Sequence, residues 1–161
     1  MLKDKVKTLY CELIGQAIKQ QLKELEIHQN QVSSFFDDDV NLISAPAISQ
    51  IIKGKRNITF DTAEALQETL ELSNVKSVFF PNLDFCESLI VHLTNLILTD
   101  KYNSAKHLFQ TKEQEIQNNI TFLATTLYDF FPAFPEEETS YQIADSIEEW
   151  LVEFVALVAQ L

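Results

Sequence analysis

Glycine occurs only twice in this chain of 161 residues, at Gly15 and Gly54, and proline only four times. So few backbone breakers leave few places for sharp turns, which favours helices joined by short connections. The spacing of apolar side chains then shows where those helices fall.

Over residues 3–26, Leu9, Leu13, Ile14, Ala17, Ile18, Leu22 and Leu25 recur at three- and four-residue steps, with lysines and glutamines between them. Gly15 lies inside this pattern and marks close packing by another helix. A second, short helix is expected at about 29–36, where Val32, Phe35 and Phe36 make an apolar face. Asp37, Asp38 and Asp39 follow without helical period. Ser44 suits an N-cap and Pro46 a first turn, so a third helix is expected from Ala45 to Gly54. A fourth covers roughly 60–70, capped by Thr59 or by Asp61 with Glu64 at capping-box spacing. Val75, Val78 and Phe79 make a short fifth helix before Pro81.

Past Pro81 the chain becomes more apolar and more acidic. One helix is expected to about Leu98 and a second long pattern over 105–131, broken by Pro132 and Pro135. Thr139 and Gln142 have capping-box spacing before a final helix over 143–161, and Glu136, Glu137 and Glu138 suit its positive end. The expected fold class is all-α: a five-helix domain over residues 1–80 and a helical bundle over 81–161. Trp150, Leu151, Phe154, Val155, Val158 and Leu161 exceed a single apolar stripe, so this last helix is expected to form a homodimer interface.

Charge is uneven. The net value is −12, with −2 over residues 1–76 and −10 over residues 77–161. Attraction to phosphate therefore requires a local patch, and the sequence contains one. Ile48, Ile51 and Ile52 line one face of the third helix, Gly54 stops it, and Lys53, Lys55, Arg56 and Asn57 surround the exit. A short helix with one buried face, a glycine stop and a cationic turn meets the requirements of a DNA-recognition helix with its phosphate anchor.

Several spaced residues extend that pattern: Gln29, Val32 and Ser33, then Ile48 and Ser49, then Gly54, Lys55 and Arg56, then Ala63, Leu66, Leu70, Leu72 and Ser73. Over about residues 12–80 the chain resembles the helix-turn-helix domain of the Cro and lambda-repressor type, the xenobiotic-response-element family. The resemblance implies a regulator that binds double-stranded operator DNA as a dimer. It places Gln29 on phosphate, together with Lys55, Arg56 and Asn57, and leaves Ser44, Ser49, Gln50 and Lys53 for the groove. Two features depart from the family pattern. About five extra residues, including the three aspartates, separate the second and third helices, and Ala45, Pro46 and Ala47 stand where polar base readers are common.

Catalytic chemistry is not expected. Two distant glycines make no phosphate loop, and no His-Glu-x-x-His sequence or serine elbow occurs. His92 has no acidic partner four residues away and reads as a core or edge histidine, His28 adjoins the second helix, and no cofactor or metal is expected. Cys11 and Cys86 lie in apolar helical patterns and read as buried free thiols. The first residues lack the apolar stretch of a signal peptide and no run of about eighteen apolar residues occurs, so a cytoplasmic protein without a membrane segment is expected. Two alternatives stay open for residues 81–161: a protein partner, as in inhibitory factors of the anti-CRISPR kind with repressor-like ends, or a small ligand or peptide held among the phenylalanines.

Overall fold

The protein is described by a computed structural model covering residues 2–28, 45–131 and 143–161. Among the described residues, the secondary structure is entirely α-helical: α1 (Leu2–Glu24), α2 (Ala45–Ile52), α3 (Phe60–Thr69), α4 (Lys76–Phe79), α5 (Leu83–Thr99), α6 (Lys106–Thr111), α7 (Glu113–Asn118), α8 (Ile120–Phe130) and α9 (Ile143–Gln160). The helix expected at 29–36, the three aspartates after it, and the Glu136, Glu137, Glu138, Thr139 and Gln142 segment lie outside the described residues. No described helix is long and apolar enough to cross a membrane.

Local chemistry sets the helix ends. Thr59, not Asp61, caps α3: its hydroxyl accepts the Thr62 amide at 3.3 Å. Asn82 caps α5 by accepting the Phe85 amide at 2.8 Å. Two exits use a non-glycine residue in the left-handed conformation. Glu26 (φ 57°) ends α1, where the Ile27 amide bonds the Leu22 carbonyl. Glu71 (φ 56°) ends α3, where the Leu72 amide bonds the Gln67 carbonyl.

The single pattern over 105–131 is divided into α6, α7 and α8. At each break a side chain competes for a helix carbonyl. Thr111 donates to the Leu108 carbonyl at 2.8 Å, and Asn119 Nδ2 donates to the Glu115 carbonyl at 2.7 Å. Such local bonds bend a helix without glycine or proline.

One hydrophobic core runs through the described structure, so the boundary expected after Phe80 is not a gap in the packing. Helix α1 packs against α2 on one side and against α5 and α9 on another. Phe80 joins the two stretches of chain, its ring 6.3 Å from Tyr10 and 4.4 Å from Phe131. Tyr10 also donates to the Phe79 carbonyl at 2.9 Å. Lys76 is buried beside this cluster, 2.8 Å from the Phe131 carbonyl and 3.7 Å from the Tyr128 ring centre. Its burial lowers its pKa from the usual lysine value.

Four of the residues expected at a dimer interface pack inside the single chain. Trp150, Phe154 and Val158 are 0% exposed in the single chain, and Leu151 is buried beside them. Trp150 stacks on Phe154 at 5.0 Å, and Phe154 meets Phe109 edge-on at 5.1 Å. Val155 and Leu161 are half-buried against the same core. Trp150, Leu151, Phe154 and Val158 are covered by α1, α6 and α8 from the same chain, while Val152 on the same helix stays exposed.

Candidate nucleic-acid interface

The basic exit is built from α2. Ala47, Ile48 and Ile51 are buried, while Ile52 is only half-buried. Ala47 therefore completes the inward stripe that the sequence assigns to Ile52. Ala45, Pro46 and Gln50 are exposed, and Ser49 is half-buried at the border.

The helix stops as the sequence requires. Gly54 has φ 75°, its amide bonds the Ile51 carbonyl at 3.0 Å, and the Lys55 amide bonds the Gln50 carbonyl at 2.9 Å. This paired closure satisfies two terminal carbonyls and fixes the direction in which the next residues leave. Lys53, Lys55 and Arg56 emerge exposed around it. Among the described residues the ion pair is Lys3 with Asp145 at 3.1 Å, so none of these three cations is paired to a described carboxylate.

Helix α1 holds the exit in place. A Cβ added at Gly15 would sit 2.5 Å from the Ile51 carbonyl oxygen and 2.8 Å from that of Ile52. One at Gly54 would sit 2.8 Å from the Glu12 Cα. Both glycines of the chain therefore serve one crossing, where the backbones touch without an intervening side chain. The close helix packing expected at Gly15 is found there, and its partner is the end of α2.

Asn57, which the resemblance places on phosphate, is half-buried at the start of the segment after the basic turn. Its Oδ1 accepts from the Cys11 thiol at 3.0 Å, so the side chain turns toward α1 and anchors the strand of backbone carrying Lys55 and Arg56. Burial pushes the Cys11 thiol pKa up, which keeps the proton that this bond needs. Cys11, Glu12 and Gly15 are thus part of the site's support. Only Gly15 left a signal in the sequence, as a glycine inside a helical pattern.

Gln29 and Ser44 lie outside the described residues, so the candidate groove contacts within them are Ser49, Gln50 and Lys53. His92 is exposed on α5, with Nδ1 2.7 Å from the Ser88 carbonyl. Compared with known proteins, the chain matches no family model, no curated protein and no solved structure.

Proposed function

We propose that the chain is a sequence-specific regulator that binds double-stranded DNA through α2 and its basic exit. The observation carrying this reading is the fixed turn at Gly54, which holds three exposed cations, unpaired among the described residues, beside an exposed helix face. Lys55 and Arg56 contact phosphates, while Lys53, Gln50 and Ser49 approach base edges. Gln50 suits adenine, because its amide can both donate and accept. Few direct readers imply that DNA shape contributes to specificity, and that a second copy on a neighbouring half-site contributes to affinity. The contact between copies then runs through a surface other than Trp150, Leu151, Phe154 and Val158.

Titration of a two-half-site duplex over a range of salt concentrations tests the reading. The Lys55→Ala, Arg56→Ala double variant should weaken binding to all sequences and flatten the salt slope by about two units. An unchanged slope in a folded variant removes this turn from the interface.

A further inference from the structure

The acidic half of the chain carries a second surface. Helices α5 and α8 run antiparallel, so that Leu83 lies near Thr125, Glu87 near Thr121 and Val91 near Ile120. The seam that α5 makes with α8, and beyond it with α7, contains two hollows. One, of about 300 Å³, is bordered by Leu83, Pro81, Thr125 and Tyr128. The other, of about 340 Å³, is bordered by Val91, Leu98, Ile116 and Ile120, with Glu113 and Gln117 at its rim. Between them Thr121 donates to Glu87 Oε1 at 2.9 Å. Leu83 and Val91 remain 43% and 49% exposed, large values for apolar side chains on a packed helix.

Charge selects the occupant. Helices α5, α7 and α8 carry Asp84, Glu87, Glu113, Glu115 and Asp129 and no Lys or Arg. The nearby cations are turned elsewhere: Lys76 is buried against the Phe131 carbonyl, and Lys112 donates to the Leu161 carbonyl. Leu83 and Val91 are eight residues apart, about 12 Å along the helix axis. A helix lying along the seam places residues seven or eight apart at that same separation.

We propose that the seam between α5 and the α7–α8 pair docks a cationic amphipathic helix of another protein. Two apolar anchors, seven or eight residues apart, seat in the hollows, and Lys or Arg side chains face Glu87 and Glu113. This is helix-in-groove recognition with charge deciding the partner.

The probe is a fluorescein-labelled synthetic helix of about sixteen residues, roughly 24 Å long, with leucines at the stated spacing and lysines and alanines elsewhere. Its anisotropy is titrated with the full chain. Saturable binding that weakens with salt is expected, along with at least about a tenfold loss in Leu83→Glu and in Val91→Glu, the loss expected of an anchor side chain. Circular dichroism checks that both variants stay folded. A Glu113→Lys variant, which leaves the hollows intact, should weaken binding as well. Equal binding of a peptide with the same composition but scrambled leucines overturns the proposal, because charge alone then accounts for it. The proposal also fails if neither peptide binds saturably or if the folded Glu variants bind undiminished. A full chain that sediments as a dimer separated by Val91→Glu would overturn it too, because a second copy would then cover the seam.

Discussion

The α1–α2 crossing and the α5–α8–α9 packing are held together by opposite means. At the crossing, Gly15 and Gly54 bring two backbones into direct contact, and nothing there can move aside. Around α9, Trp150, Phe154 and Phe109 fill space with large, fully buried rings packed on one another. The basic exit belongs to the backbone crossing and the acidic seam borders the ring-packed core. Backbone contact sets the direction in which the chain leaves the Gly54 turn, and the Lys53, Lys55 and Arg56 side chains extend from it exposed.

Breaking the first region should have the largest effect. Gly15→Val should cost more than about 4 kcal/mol, because even its Cβ falls within 2.5 Å of a carbonyl oxygen belonging to backbone. Urea unfolding measures it, and a loss near 1 kcal/mol would mean that the crossing is looser than its geometry. Phe154→Leu keeps the apolar character and most of the volume. It should cost less than the glycine change, about 1–3 kcal/mol, because it removes ring contacts with Trp150 and Phe109 and leaves a small void but displaces no backbone. The ratio of the two losses is the comparison in numerical form.

Alkaline titration sharpens the contrast further, because the second region buries both a thiol and an ammonium group. Burial pushes the Cys86 thiol up to about 12 from an ordinary value of 9.0. Between these values the unfolded chain loses a proton that the folded chain keeps. This contribution to stability is therefore complete below pH 9 and is lost as pH rises toward 12. Lys76 acts in the opposite sense: its folded pKa is lowered by burial, so its contribution rises as pH approaches 10.5. Cys86→Ala should accordingly make stability fall less steeply above pH 9, and Lys76→Met should make it fall more steeply. Thermal melts from pH 8 to 11 read both slopes. An unchanged slope in Cys86→Ala would remove the thiol from the account.

The smallest effect should come from the α3 exit, where Glu71 adopts φ 56° without the freedom of glycine. Glu71→Gly relieves that strain and should add up to about 1 kcal/mol of stability. Its effect on DNA titration should be negligible, since Glu71 is not among the residues proposed to contact DNA.

Most helices were legible in the sequence because periodic apolar residues report which face of a helix is covered. The Gly54 stop was legible too, since a left-handed residue in a Schellman exit favours glycine over any side chain. Periodicity does not report what does the covering. The band over Trp150, Phe154 and Val158 reads from the sequence as a dimer interface, and packing against α1, α6 and α8 buries these three side chains within the chain. Asn57 beside three cations reads as a phosphate ligand, and nothing in the sequence shows that its Oδ1 accepts from the Cys11 thiol, 46 positions away. The breaks at Thr111 and Asn119 had no Gly or Pro to announce them, because they depend on which carbonyl a side chain reaches. The sequence by itself determined the helical class, the basic turn and the close approach at Gly15. Tertiary structure alone decided which element met Gly15, where the last helix hid its rings, and that an acidic seam remained open, because each depends on residues distant in the chain becoming neighbours in space.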